Sequence, residues 1–339
     1  MRATRRDVQA PIEGLTTPPR DITQADLHVW VDYAELCCLV SADRALSLSD
    51  LVDDISDSDD IQVLEWESED TSPSVAGGDI ETLLTSKAED IFVHVSHRKS
   101  ALTEEAYPFF LSDDGREFRC IANDEFNAKH RFYLFMLLAA CSKYVATAKR
   151  PTVWAAFEKF SNVVFAEMLP RRAEVRSFGK SISGIPHYTG NIEAKIEALA
   201  KDLNAVPGAY VSEFPKHSTG DGGLDHVGWL PTGDTSAGLF IAFGGSACGR
   251  DWAVKQASSG GERWIKNLQL RATPVNICFI PYYERDDRGN WTNTNYIESV
   301  LMDRRRILHI LDESDEDALP SEARALVEEV AAYRRDVYE

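Results

Sequence analysis

The sequence predicts an α/β protein, a mixed sheet flanked by helices, preceded by a small N-terminal α+β domain. Three observations predict it. From about residue 126 the order of patterns is helices, then strands, then helix, strand and helices, an order that suits a layered sheet. The runs Gly238–Gly244 and Val275–Pro281 are apolar throughout, as strands buried on both faces are. The charge is also unevenly spread over the 339 residues, which divides the chain.

Residues 1–22 carry Pro11, Pro18 and Pro19 among polar residues and read as a disordered lead-in. An interaction or regulatory domain is expected over 23–104. It holds a helix from Asp26 to Val40, apolar at Trp30, Tyr33, Leu36 and Val40. A second helix follows from Ser47 to Ile55, with Ser47 or Ser49 as N-cap. Thr71–Gly78 reads as a loop and Ile91–Val95 as a strand. Helices are predicted over Asn127–Lys149 and over Thr152–Leu169, with Pro151 suited to a first turn. Another covers Asn191–Leu203. Ala209–Phe214 and Leu224–Leu230 look extended, and Glu262–Leu270 is a short helix. Helices over 294–312 and 321–335 close the chain, and 311–339 is expected as an acidic C-terminal helix.

The net charge of −19 argues against a nucleic-acid partner until it is divided. Residues 21–100 hold 19 acidic and 4 basic side chains, and 309–339 hold 10 and 3. Residues 101–308 hold 24 and 25, so the middle of the chain can approach phosphate. The acidic flanks suit a protein partner, masking of a groove, or simple solubility. No apolar run nears the ~18 residues that span a bilayer. The basic Met1–Arg6 has no apolar segment behind it, so no secretory signal is expected. Six cysteines, none in a C-x-x-C pair, point to buried thiols and a reducing, cytoplasmic setting.

The most informative stretch is Thr219-Gly-Asp-Gly-Gly-Leu-Asp-His-Val-Gly-Trp229. Asp221 and Asp225 flank a turn that leads into a strand, and carboxylates so placed can hold a divalent cation. An acidic residue at the start of a buried strand is costly unless paired or metal-bound, which singles out Asp225. Asp221 reads first as a turn cap. His226, the next residue on the strand, points to the opposite face from Asp225.

Gly220-Asp-Gly-Gly-Leu-Asp-His-Val227 resembles the second-strand motif of Mrr-type nucleases in the PD-(D/E)XK, or restriction-endonuclease-like, superfamily. The resemblance covers roughly 105–310. It extends to Leu239–Trp252, Trp264 and Asp303-Arg304, which are similar to a divergent bacterial branch associated with phage defence. It implies a restriction-endonuclease-like domain that hydrolyses DNA phosphodiesters with Mg²⁺ or Mn²⁺. Asp225 would bind the metal. Glu158, in Phe157-Glu-Lys-Phe160 on an upstream helix, would assist it, although exposure on the helix's far face reads almost as well.

The chain departs from the pattern on the third strand. Gly245 stands where glutamate or glutamine is usual, and Ala247 where lysine is usual. Lys255 could reach back as a displaced cation, or Arg250 could supply charge, although arginine is a poor base. Ser246 or Asp221 could replace the missing ligand. The departure opens the alternative of a catalytically inactive nuclease-fold subunit that binds or assembles, as a homo-oligomer or through the acidic N-terminal domain. Arg171, Arg172, Arg176, Lys180 and Arg250 are candidate DNA-backbone contacts. The Arg304–Arg306 run could join them or offset a helix dipole. His94 and His97 lack a third ligand nearby for a metal site. Gly244-Gly-Ser-Ala-Cys248 hints at a serine nucleophile elbow but has Cys248 where its second glycine belongs.

Overall fold

The computed structural model describes residues 10–19, 27–56, 77–179, 187–208, 220–292, 294–312 and 315–335. The chain divides into two compact units. One comprises Met1–Val153, Tyr282–Asn293 and Ser321–Glu339, and the other Trp154–Pro281 and Thr294–Pro320. The boundary the sequence suggested, near residue 104, falls inside the first unit.

In chain order the first unit contains α1 (Leu27–Val40), β1 (Ala45–Ser47), α2 (Leu48–Ser56), α3 (Gly77–Ala106), β2 (Phe109–Leu111), β3 (Glu117–Cys120) and α4 (Ala128–Ala140). Helix α5 (Arg150–Met168) starts in it and continues into the second unit. The second unit adds β4 (Glu174–Ser177), α6 (Ile192–Asp202), β5 (His226–Trp229), β6 (Ile241–Ser246), α7 (Trp252–Lys255) and α8 (Gly261–Asn267). It ends with β7 (Val275–Phe279), β8 (Val300–Met302) and α9 (Arg304–Ile310), and α10 (Ser321–Ala332) returns to the first unit.

The first unit is built around α1 and α4. The run Phe132–Ala139 is buried residue by residue, so α4 is enclosed on all sides. Asn127 caps it, accepting a 2.8 Å hydrogen bond from the His130 N–H. Helix α1 buries Asp32 and Glu35 along with its apolar residues. They are tolerated because Arg98 of α3, itself buried, donates to Asp32 at 2.6 Å and to Glu35 at 3.0 Å. Tyr133 and Tyr107 donate to Glu35 at 2.6 and 2.7 Å. The Arg98 guanidinium also lies 4.9 Å from the centre of the Tyr283 ring. A three-stranded antiparallel sheet, in the order β1-β3-β2, completes this unit.

Several expectations change here. Ile91–Val95 is helical, inside α3, with Ile91 and Val95 buried four residues apart. Five residues of mixed apolar character satisfy either period. The lead-in is partly built into the unit, since Ile12 bridges Val145 and Leu15 is buried. The helix expected over 127–149 stops at Ala140 and gives way to single turns before α5. Ser47 caps α2, accepting from the Asp50 N–H at 3.1 Å. Residues 209–214 and most of the loop expected over 71–78 lie outside the described residues.

The second unit carries a five-stranded mixed sheet in the order β4-β5-β6-β7-β8. Strand β5 pairs antiparallel with both β4 and β6, while β6 with β7 and β7 with β8 pair in parallel. The expected helix over 294–312 is instead a turn, the edge strand β8 and the short α9. Ser299 and the Glu298 N–H donate to the buried Gln256 side chain, which holds this segment extended. One sheet face is covered by Ile196, Leu199, Trp264 and Leu268 of α6 and the α8 region, packed on Val227, Ile241 and Phe243. The other face receives α5. A Cβ on Gly228 would sit 2.4 Å from Leu169 Cδ1 and 3.0 Å from Phe165 Cε1, and one on Gly244 would sit 3.2 Å from Phe165 Cδ2. Glycine at both places lets α5 lie directly on β5 and β6, and that contact positions the acidic residues described next.

Candidate functional site

Glu158 lies seven residues before Phe165 on α5, two turns along the same stripe. With Phe165 seated on the sheet, Glu158 arrives half-buried beside Gly179, just past the end of β4. A Cβ on Gly179 would lie 3.1 Å from Glu158 Oε1 and 3.3 Å from Asp221 Oδ2, so the two carboxylates flank one backbone position. Asp221 also accepts from the Gly223 N–H at 2.7 Å through its other oxygen. Its turn-capping role and its place among the acids therefore coexist.

Asp225 immediately precedes β5 and is fastened on both sides. Its N–H donates to the Gly244 carbonyl at 3.0 Å, and its carbonyl accepts from the Phe178 N–H at 2.8 Å. Its side-chain Oδ2 accepts from the Ser246 N–H at 2.7 Å. Burial, followed by the negative charges of Glu158 and Asp221, pushes the Asp225 carboxyl up to about 8. The Ser246 N–H and the positive charge of Lys255 pull the other way without reversing the shift. Four sequence candidates, Asp225, Glu158, Asp221 and Lys255, are thus in one electrostatic neighbourhood. Lys255, at the end of α7, is half-exposed and pairs with Asp251 at 3.0 Å. Burial raises the nearby Cys248 thiol as well, with Asp225 and Glu158 adding to the effect.

The third strand takes a different form from an acid-bearing one. Residue 245 faces Asp225 across the β5–β6 ladder, since His226 pairs with Gly244. A Cβ on Gly245 would lie 2.9 Å from Ser259 Oγ, and one on Gly223 would lie 2.4 Å from Ser258 Cβ. The Ser258–Ser259 turn occupies the space over this part of the sheet. Ser259 is held there by a 3.0 Å hydrogen bond to Asn276 Oδ1. Sequence reasoning had no signal for this turn, because it comes from a separate segment of the chain.

His226 points away from Asp225, as strand alternation requires, but Ser246 links the two. Its N–H reaches Asp225 and its Oγ lies 3.0 Å from His226 Nε2. His226 is fully buried against Phe165 and Phe279, and burial lowers its pKa to about 3. A serine–histidine pair is therefore present, yet the other ring nitrogen has no hydrogen-bond partner among the described residues. Among the described residues no third group orients the histidine as in a nucleophilic triad.

Comparisons with family models, curated proteins and solved structures find no match for this chain. Among the described residues no group of three or more His, Cys, Asp or Glu side chains is placed to hold a metal ion. The donor set still fits a hard cation in kind, because all three acids offer oxygen. Mg²⁺ commonly takes one or two carboxylates and keeps its remaining waters. Asp225 with Glu158 or Asp221 would be such a pair.

The basic candidates are dispersed. Arg171 and Arg172 are exposed in the turn between α5 and β4, and Arg250 is exposed before α7. Arg176 is engaged, pairing with Glu174 at 3.0 Å and lying over the Trp229 ring. Lys180 lies outside the described residues. Arg304 is buried and donates to the Pro281 carbonyl at 2.9 Å, so it is not part of a DNA-facing stripe. The Arg304–Arg306 run also begins α9, the end of a helix whose dipole opposes cations. There Asp303 provides the cap, accepting from the Arg306 N–H. His94 and His97 share helix α3. Burial and the Arg98 charge lower His94 to about 4.

Among the described residues, no helix is long and apolar enough to cross a membrane.

Proposed function

We propose that the second unit is a restriction-endonuclease-like domain that hydrolyses DNA phosphodiester bonds with Mg²⁺ or Mn²⁺. One observation carries this reading. An upstream helix, a turn and the start of the second strand bring Glu158, Asp221 and Asp225 together beside a cationic side chain, Lys255. Like charges gathered in a partly buried place repel one another, and a divalent cation relieves that repulsion. The bound cation would lower the pKa of a water and neutralise developing charge on phosphate.

The protein groups act around that centre. Asp225 and Glu158 would hold the cation, with Asp221 on its outer side. Asp225 must lose a proton to do so, and Lys255 favours that loss. The Ser246 N–H fixes the Asp225 carboxylate so that its other oxygen is left to the ligand. Arg171, Arg172 and Arg250 are exposed and able to meet backbone phosphates. The acidic N-terminal region would meet a protein partner, and a defence or restriction role follows from the sequence resemblance.

A second reading is a catalytically inactive subunit of the same fold, which binds or assembles. The observation that favours it is the Ser259 side chain lying where a residue at 245 would project. The test is nicking of supercoiled plasmid by the whole chain with Mg²⁺, Mn²⁺ or chelator. Metal-dependent cutting lost in both Asp225→Asn and Glu158→Gln supports the enzyme. Cutting that persists in both variants refutes the assigned centre. Failure to cut by folded wild type leaves the inactive reading in possession.

A further inference from the structure

Trp154 stands apart from the other described tryptophans. Trp30, Trp229, Trp252 and Trp264 are buried, and Trp291 lies 4.1 Å beneath the Arg285 guanidinium. Trp154 is 48% exposed. It belongs to α5, whose Val153, Phe157, Phe160, Val164 and Phe165 are buried, so the indole sits off the packed side of the helix. Packing does not call for an aromatic ring there.

Its place matters because of what lies one turn further on. Glu158 follows Trp154 by four residues, so the two side chains are neighbours on one helix face. Long helical side chains lean toward the N-terminus, which brings the Glu158 carboxylate back over the Trp154 turn. That carboxylate flanks Gly179 together with Asp221, and its charge acts on Asp225. The exposed indole is therefore at the rim of the acidic centre, and all of these residues belong to the second unit.

We propose that Trp154 stacks on an unpaired base next to the scissile phosphate, so that the substrate is DNA with a single-stranded segment rather than an intact duplex. This rests on the reading of Glu158, Asp221 and Asp225 as a cation site. Without a cation those carboxylates would repel a phosphate. With one, a phosphate drawn to it brings its own base within reach of an indole one helical turn away. Both faces of a base inside a duplex are covered by its neighbours, so the indole meets a face only if the base leaves the stack. A single strand offers that face at little cost. Stacking uses the ring face rather than charge, so the surrounding acids (Glu158, Asp221 and the Asp251 that pairs with Lys255) do not oppose it.

The experiment is fluorescence anisotropy on the full chain with a labelled oligothymidylate and a labelled duplex of equal length. It is done in Ca²⁺, a hard cation that takes the same oxygen ligands. Wild type should bind the single strand about fivefold or more tighter than the duplex. Trp154→Ala should weaken single-strand binding by about fivefold to a hundredfold, the range of one base–aromatic stack, and leave duplex binding unchanged. Trp154→Phe should keep most of the affinity. Equal binding of the two DNAs by wild type, or single-strand binding unchanged in Trp154→Ala, overturns the proposal. Calorimetry with Mn²⁺ separates this failure from that of the cation site, since Trp154→Ala should bind Mn²⁺ as wild type does. Saturable Mn²⁺ binding without a Trp154-dependent single-strand preference overturns this inference alone. Absence of Mn²⁺ binding overturns the cation site, and the inference with it.

Discussion

The carboxylate of Asp225 accepts a 2.7 Å hydrogen bond from the backbone N–H of Ser246, and it does so beside two other carboxylates. The bond holds the side chain at the end of β6 even though burial and like charge disfavour its ionised form. The consequences are measurable.

Asp225 makes stability depend on pH. Its folded pKa is raised to about 8 from the ordinary 3.8, so the protonated form is the one the fold prefers. That preference is fully present below the unfolded pKa and is lost as pH rises through the folded one. The melting temperature should therefore fall between about pH 4 and pH 8 by more in wild type than in Asp225→Asn. At pH 8 the variant should be the more stable protein. Thermal unfolding of both across that range checks this, and parallel curves would contradict it.

Glu158→Gln removes the negative charge that acts more strongly on Asp225, ahead of that of Asp221. The Asp225 carboxyl should then titrate at lower pH, as read by carbon NMR of labelled aspartate. Affinity for Mn²⁺ should nonetheless fall by about tenfold or more, because a ligand has gone. The opposite signs separate a cation site from a merely structural cluster, in which only the titration would move.

Much of this centre was legible in the sequence because its parts are local. A glycine-rich turn between two acids at 220–225, followed by His-Val-Gly-Trp229, marks a turn before a strand, and the structure places β5 there. Glu158 was legible through the resemblance, and its position follows from Phe165 packing on the Gly228 surface. What could not be read is what meets across the chain. The Ser258–Ser259 turn over Gly245 is an example, and so is the enclosure of Asp32 and Glu35 around Arg98. Strand β8 was misjudged because Gln256, about 40 residues away, holds it extended against a helical composition.

The Gly245 position is closed by Ser259, so Gly245→Glu alone should destabilise the chain by about 1–3 kcal/mol through overpacking. Adding Ser259→Gly should recover part of that loss. Urea denaturation of the single and double variants measures the coupling. Strictly additive effects would show that the two side chains do not compete for the same space.

Arg98→Met leaves Asp32 and Glu35 buried without their cation. The expected cost is about 3–5 kcal/mol, as for other broken buried pairs. A denaturation midpoint close to wild type would mean that these carboxylates are not charged in the folded protein.

The most direct test of the central claim is calorimetric titration of Mn²⁺ into the full chain at pH 8, with Asp225→Asn alongside. The account predicts saturable binding by wild type that disappears in the folded variant. Equal binding by both proteins, or none by either, would contradict it.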